Sequence, residues 1–172
     1  DGRGTYTVRY NVSSANPLSD RRDSAVTVLV TDKAGNADSR PWLISLDNTG
    51  PVITAVDVLD TQEGTDSGKE KLINDNDTLT VVATDSMHAV RRIEYFFDVV
   101  GRDNEGLPLI RSGGGAFSTV TETGIAAINV AALVDGQHAL WIHAEDTAGN
   151  WGVFRTETFL LDRAGPMIQD VR

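Results

Sequence analysis

A five-residue motif that occurs twice constrains the fold more than any other feature of the sequence. It reads Asp-Lys-Ala-Gly-Asn at 32–36 and Asp-Thr-Ala-Gly-Asn at 146–150. Each copy follows an alternating apolar segment and precedes a second one that ends in Leu-Asp-x-x-Gly-Pro, at 46–51 and at 161–166. The interval of 114 residues between the copies fits one β-sandwich domain better than a solenoid unit of roughly 20 to 50 residues. The pattern therefore predicts tandem β-sandwich modules.

The two copies of the motif divide the chain into three predicted parts. Residues 1–50 are interpreted as the C-terminal half of one Ig-like sandwich. Residues 51–165 are interpreted as a complete Ig-like sandwich, and residues 166–172 as the first strand of a following module. Both ends look cut under this interpretation, so we expect the chain to be a fragment of a longer polypeptide.

Period-two alternation and turn signals predict an all-β immunoglobulin or fibronectin-III-like sandwich. No segment shows a sustained helical period, which a parallel α/β sheet would need. The strands predicted in the first part are 4–12, 25–32 and 37–46. Those predicted in the complete domain are 52–59, 78–85, 92–99, a short irregular strand within 101–118, 124–133, 137–145 and 153–161. The side chains predicted to fill the core are Val81, Ile93, Tyr95, Leu140, Ile142 and Ala144.

Composition excludes several classes of partner. The net charge is −10 and the pI about 4.6, which argues against nucleic acid and against anionic membrane surfaces. No apolar window is long enough for a membrane span, so we expect no membrane insertion. The chain has no cysteine, which excludes disulfides but leaves the compartment open.

Several segments resemble bacterial Ig-like domains that carry a D-x-A-G-N turn before the last strand. The resemblance lies in 135–166 and in 92–98 with Phe117 and Glu122, and residues 1–50 resemble a related variant. Such domains occur in long prokaryotic surface proteins, in adhesins and in accessory regions of secreted enzymes. The resemblance thus implies an extracellular or cell-surface location, with neighbouring Ig-like modules as partners.

Five polar residues form a candidate calcium site at the junction of two modules. In such a sandwich the loops that contain Asp85, Asp146 and Asn150 lie at the pole where the first strand begins, which is close to Asp47 and Asn48 of the preceding module. Calcium takes six to eight oxygen ligands of this kind. The alternative is that each residue forms a local turn, with glycine supplying a positive φ and the Asp and Asn side chains bonding the backbone. The run Asn74–Asp77 lacks the glycine and glutamate of an EF-hand loop and is interpreted as a turn.

We expect no catalytic activity and no cofactor other than calcium. No nucleophile lies in a G-x-S-x-G elbow, and His88, His138 and His143 lack the spacing of a transition-metal site. The glycine run 113–115 lacks the Lys-Ser/Thr and the helix of a phosphate-binding loop, so it indicates a flexible loop.

Three functions stay open. The first is a structural or adhesive module that acts as a spacer or in assembly. The second is a non-catalytic accessory module, for which Trp141, Trp151 and the outward-facing His143 could offer aromatic faces to a glycan, unless a neighbouring strand or domain covers them. The third is a subunit of a strand-exchanged filament, because an orphan strand at 166–172 could complete an incomplete sandwich. A glycan or a cell-surface protein is the partner implied beyond the neighbouring modules.

Overall fold

The computed structural model describes residues 20–59, 71–73, 76–165 and 167–169, and all regular elements within these ranges are β-strands. The predicted strand 4–12, Asn74, Asp75 and most of 166–172 lie outside the described residues. Among the described residues no helix is long and apolar enough to cross a membrane. The chain divides into two compact units, one up to Asn48 and the other from Thr49.

In the first unit, the described residues 20–48 form an antiparallel hairpin of β1 (Arg21–Thr31) and β2 (Ala37–Leu46). Every second residue in the middle of β1 is a valine, so Val26, Val28 and Val30 share one face of the hairpin. This face is solvent-exposed: the three valines expose 37%, 41% and 54% of their surface.

The second unit is a two-layer β-sandwich. One sheet has the strand order β4-β11-β10-β6-β7 and the other β3-β5-β9-β8. In Ig lettering these orders correspond to A′-G-F-C-C′ and A-B-E-D, which is an immunoglobulin-type arrangement. The strands are β3 (Val52–Leu59), β4 (Lys71–Ile73), β5 (Asp77–Thr84), β6 (Val90–Phe97), β7 (Leu107–Pro108), β8 (Ile110–Arg111), β9 (Thr121–Ile128), β10 (Gly136–Asp146) and β11 (Arg155–Leu161).

The core between the two sheets confirms the predicted inward residues. Strand β5 buries alternate residues along its whole length, as expected of a strand with one face on a core. All six predicted core residues belong to one buried cluster, together with Leu79, Phe159 and Leu161. Full burial of each large aliphatic side chain stabilises the fold by roughly 1.5–3 kcal/mol. The predicted register of β10 is therefore confirmed.

The strand boundaries differ from the predictions where the backbone leaves the ladder. Strand β6 ends at Phe97 instead of Val99, because Asp98 adopts a left-handed conformation with φ 56°. Strand β9 spans Thr121–Ile128 instead of 124–133. Strand β11 begins at Arg155 instead of Val153, since the preceding residues cross the outer face of the sheet.

Three very short strands escape the sequence pattern. Strand β4 lies between the predicted strands 52–59 and 78–85, where no strand is predicted, and it pairs in parallel with β11. The single irregular strand predicted within 101–118 is instead two strands, β7 and β8, which belong to different sheets. Strands of two or three residues are too short to show a period of two, so their neighbours in space determine them.

Candidate functional site

The second D-x-A-G-N motif forms a closed turn between β10 and β11. Asp146 Oδ1 accepts the backbone N–H of Asn150 at 2.9 Å, and Asp146 Oδ2 accepts the Asn150 side-chain amide at 3.0 Å. The Asp146 N–H donates back to the Asn150 carbonyl at 3.1 Å. Gly149 sits at φ 93°, which a residue with a Cβ rarely adopts. Aspartate, glycine and asparagine thus each supply a distinct part of the turn.

The first motif forms the same turn in the first unit. Asp32 Oδ1 accepts the N–H groups of Ala34 and Asn36, both at 2.8 Å, and Asp32 Oδ2 accepts the Asn36 amide at 2.9 Å. Gly35 has φ 90°. The hydrogen bond from the Asn36 side chain is the largest of the effects that together hold the pKa of Asp32 below its ordinary value.

The predicted calcium ligands fall into two groups. Asp146 and Asn150 are brought together by the turn, and Asp85 lies on a neighbouring loop whose Ala89 carbonyl accepts the Thr147 N–H at 2.9 Å. Asp47 and Asn48 belong to the first unit. A calcium site with all five ligands would need both units, and it stays a prediction.

Asp85 and Asp146 both use their carboxylates inside the second unit. Asp85 Oδ1 accepts the N–H groups of Met87 and His88, both at 2.7 Å. Asp146 is fully buried and bonded to Asn150 through both oxygens. These contacts are those of the turn-forming interpretation. A cation at this pole would have to share the oxygens with existing hydrogen bonds.

The segment that enters the second unit packs tightly against the loop after this turn. Pro51 is buried, and Gly50 lies against the backbone of Trp151 and Gly152. A Cβ on Gly50 would overlap the Trp151 carbonyl group, and a Cβ on Gly152 would overlap the Pro51 carbonyl oxygen. The Gly152 N–H donates to the Ala144 carbonyl at 2.9 Å, which ties the loop to β10. Two glycines therefore permit a backbone-to-backbone contact between the incoming segment and the module.

A histidine and a glutamate are buried on the outer face of the five-stranded sheet. His143 Nε2 lies 2.7 Å from Glu94 Oε1, and both side chains are almost fully buried. Glu94 also accepts the backbone N–H groups of Asn104 at 3.0 Å and Gly106 at 3.2 Å. The pair therefore holds the loop after β6 against the sheet.

Aromatic rings of the same chain cover this face. The Phe154 ring stacks on His143 with centroids 3.9 Å apart, and the Trp151 ring lies 4.3 Å from His143 on a tilted plane. Trp141 meets Phe154 edge-on at 6.5 Å. His143 does point away from the core, as predicted, but the loop before β11 buries it. The aromatic side chains contact one another and are only partly available to a glycan.

Another buried carboxylate, Glu122, holds the loop between β8 and β9. It accepts the N–H groups of Ser118 and Thr119, both at 2.8 Å, and Arg111 Nε at 2.7 Å. Burial raises the pKa of Glu122, but the hydrogen bonds from Ser118, Arg111 and Thr119 outweigh burial and lower the pKa to about 2.

Sequence reasoning missed Glu94 and Glu122 as structural groups. Glu122 lies at the second position of β9 and Glu94 in the middle of β6, in an aromatic run. A charged residue inside an apolar strand is the signal that could have identified Glu94, because buried charges need hydrogen-bonding partners. The loop amides that bond Glu94 lie 10 and 12 residues further along the chain, so they leave no local pattern. Those that bond Glu122 lie only 4 and 3 residues before it, in the loop before β9.

Comparison with known proteins gives structural matches only, since no family model and no curated protein matches the chain. Fibronectin(III)-like modules of Clostridium thermocellum CbhA match with 14% identity and a TM-score of 0.41, over 87% of this chain and 69% of that chain. A mutant SrpA adhesin from Streptococcus sanguinis matches with 20% identity and a TM-score of 0.36, over 68% and 57%. The fold assignment rests on the strand order given above.

Proposed function

We propose that the chain is a structural, non-catalytic part of a long extracellular surface protein. Its Ig-like modules act as spacers in adhesion or assembly. Its partners are neighbouring modules, with a glycan or a cell-surface protein as the final target of the parent protein. The resemblance to bacterial Ig-like domains supports this role and a prokaryotic source.

The packing of Gly50 and Pro51 against Trp151 and Gly152 carries the proposal. A spacer needs a connecting segment that keeps its direction as it enters the module. A segment in backbone contact with the module has fewer conformations than a free linker, and the proline restricts the residue before it. The contact therefore suits a spacer, because it limits the directions in which the connecting segment can enter the module.

The buried polar groups of the second unit also suit a structural role. Glu94, Glu122 and Asp146 each accept backbone N–H groups from a loop. A buried carboxylate that is satisfied by a loop fixes that loop, whereas a catalytic carboxylate needs access to a substrate. The chemistry of these three residues is thus used within the fold.

Alanine substitutions of glycines test the spacer role. We expect Gly50→Ala and Gly152→Ala to displace the incoming segment and to lower the melting temperature, since each new Cβ would overlap backbone atoms. The matched control is Gly165→Ala, because a Cβ at Gly165 meets no atom within 4 Å. Small-angle scattering of the 172-residue chain should show a changed distance distribution for the first two variants only. Equal profiles for all three variants would contradict the role of this contact.

Calcium binding at the predicted ligands Asp47, Asn48, Asp85, Asp146 and Asn150 is a separate part of the proposal. Bound calcium would relieve repulsion among the carboxylates and stiffen the junction. Melting and scattering are compared in calcium and in chelator. If calcium raises the melting temperature and the effect is lost in Asp47→Asn, the ligand set is supported. If neither quantity changes, the five residues act as turn formers.

The two alternative functions, a carbohydrate-binding accessory module and a strand-exchanged filament, make different predictions. A carbohydrate-binding accessory module would retain a glycan on an array and lose it in Trp141→Ala. A strand-exchanged filament would use a free edge such as β3, but Arg155 Nη1 already donates to the Thr54 carbonyl at 3.1 Å and to the Ile53 carbonyl at 3.4 Å. An added strand would therefore find these two acceptors already bonded.

A further inference from the structure

Three segments of the second unit meet where the chain leaves β11. Residues 162–165, which follow β11, are called the outgoing segment. Asp98 follows β6, His138 lies near the beginning of β10, and Arg163 follows β11. The loop between β9 and β10 passes among them, through Val130, Leu133, Val134 and Asp135.

Both ring nitrogens of His138 face groups that can only accept a hydrogen bond. Nδ1 lies 2.8 Å from Asp98 Oδ2, and Nε2 lies 2.8 Å from the Val134 carbonyl oxygen. A neutral imidazole has one N–H and can donate only one of these bonds, whereas the imidazolium donates both. His138 is buried, so solvent can replace a lost partner only with difficulty. The geometry therefore fits the protonated ring.

Asp98 is held in the same arrangement by the backbone. Its Oδ1 accepts the Ala139 N–H at 2.9 Å, and its own N–H donates to the Ala139 carbonyl at 2.8 Å. The residue has a left-handed backbone, which an aspartate tolerates better than most residues do. The carboxylate is thus positioned toward His138 by β10 itself.

Arg163 attaches the outgoing segment to the same loop. Its Nη2 donates to the Leu133 carbonyl at 2.7 Å and to the Val130 carbonyl at 3.0 Å. Its Nε lies 3.5 Å from Asp135 Oδ1, and its backbone N–H donates to Asp135 Oδ2 at 3.3 Å. The loop is therefore held from one side by His138 and from the other by Arg163.

We propose that His138 is a pH-sensitive latch that holds the loop between β9 and β10 and, through Arg163, the outgoing segment. In the imidazolium form the latch is closed. Loss of the proton breaks one of the two hydrogen bonds, releases the loop at Val134 and weakens the attachment of Arg163. The consequence for spacer stiffness rests on the proposed function, whereas the latch itself is a property of the second unit.

The charged groups around His138 set the pH range of the latch. The Val134 carbonyl raises the pKa of His138, burial lowers it, Asp98 raises it and Arg163 lowers it, and the pKa ends above its ordinary value of 6.5. The Phe159 ring, 5.5 Å away, adds no charge. Burial raises the pKa of Asp98, but the Ala139 N–H and His138 outweigh burial and lower it below 3.8.

The sign of the pH dependence follows from these two directions. Because the folded pKa of His138 is raised, its stabilisation is complete below 6.5 and is lost as pH rises through the raised value. Because the folded pKa of Asp98 is lowered, its stabilisation is complete above 3.8 and is lost as pH falls through the lowered value. The latch is closed between the two pKa values.

A pH titration by NMR on the full chain tests the latch. We expect the His138 ring to titrate above 6.5. After correction for intrinsic exchange, the protection of the Leu133 and Arg163 amides should fall by about tenfold for each unit by which the pKa is raised. A His138 midpoint at or below 6.5, or amide protection that is independent of pH, would overturn the proposal. The wild-type titration stands even if a variant fails to fold.

Two variants separate the latch from the attachment. His138→Gln cannot carry the charge, so we expect low protection of the Leu133 amide at every pH. Arg163→Asn introduces the residue found at the equivalent place in the first unit, where Asn48 follows Leu46-Asp47 as Arg163 follows Leu161-Asp162. It should release the outgoing segment at every pH and raise the His138 midpoint, because Arg163 lowers that pKa. A lowered or unchanged midpoint in Arg163→Asn would contradict the arrangement. The glycine variants of the incoming segment test the spacer role separately, so either proposal can fail alone.

Discussion

The hairpins β1–β2 and β10–β11 share a turn but differ in burial, and the second also shifts by one residue between the bridge beside its turn, Glu145 with Trp151, and the ladder beyond it. Val26 pairs with Trp42 in the first hairpin, and the corresponding pair in the second is Leu140 with Glu157. Val28 pairs with Arg40, and Ile142 pairs with Arg155 in the same way. Both turns have the same aspartate–asparagine hydrogen bonds. Yet Val28 is 41% exposed and Ile142 is fully buried.

The difference shows that formation of the turn does not depend on burial of the hairpin in a core. The hydrogen bonds of the motif lie within five residues, so both copies form them although their surroundings differ in burial. Burial of the inner face depends on a second sheet, which β3, β5, β8 and β9 supply in the second unit. The motif thus fixes how the chain reverses, and the opposing sheet fixes how stable the hairpin becomes.

Truncation of a side chain on the inner face should give the largest difference in stability between the two hairpins. Ile142→Ala removes a fully buried side chain and leaves a cavity in the core, so we expect a loss of about 2–5 kcal/mol in the unfolding free energy of the second unit. Val28→Ala removes a partly exposed side chain and should change stability by no more than about 0.5 kcal/mol. Denaturant unfolding that is followed by amide signals of each hairpin measures both.

A small effect of Ile142→Ala would contradict the core assignment. Leu29→Ala is the control for the opposite face of the first hairpin, because Leu29 is also exposed. If Val28→Ala destabilises the first hairpin far more than Leu29→Ala does, the face that carries Val28 is buried, and the contrast in burial between the two hairpins is wrong.

Removal of the turn aspartate should have a smaller and unequal effect. Asp146→Ala removes the side-chain acceptor of the half-buried Asn150 N–H and should cost about 1–3 kcal/mol. Asp32→Ala exposes the corresponding donors to water and should cost less. Local amide exchange at Asn36 and Asn150 reports each turn. Equal losses would indicate that burial does not amplify the hydrogen bonds of the motif.

The sequence allowed the fold to be predicted where the pattern is local. The alternation in β5 and β10 gave the core residues, and the repeated motif gave both turns. It did not reveal β4, whose three residues depend on β11 for pairing. It also did not reveal the partners of Glu94 and His138. The Gly106 amide and the Asp98 carboxylate lie 12 and 40 residues away, and the Val134 carbonyl, 4 residues away, belongs to a loop without a sequence period.

Substitution of the turn glycine should affect both hairpins equally. Gly35 and Gly149 have φ angles of 90° and 93°, and in neither case would a Cβ meet an atom within 4 Å. The strain of an alanine in this conformation is local, so we expect a loss of about 1–2 kcal/mol in each turn. The exchange of turn amides in the two variants measures it. Loss in one turn alone would mean that the surroundings, and not the backbone, select glycine.

The smallest effect expected is the acid response of the first turn. The pKa of Asp32 is lowered, first of all by its bond to the Asn36 side chain. The stabilisation is therefore complete above 3.8 and is lost as pH falls through the lowered pKa. The chemical shift of the Asn36 amide against pH follows this loss. In Asp32→Asn the midpoint should disappear, and a midpoint that persists would come from another group.

Amide hydrogen exchange along β1 and β10 in one sample tests the central comparison most directly. We expect the two turns to close alike, so the Asn36 and Asn150 amides should both exchange more slowly than unstructured amides. We also expect β10 amides to exchange only on global unfolding of the second unit, and β1 amides to exchange by local opening, orders of magnitude faster. Equal protection of the two strands would contradict the claim that a shared motif sets the turn while the opposing sheet sets stability.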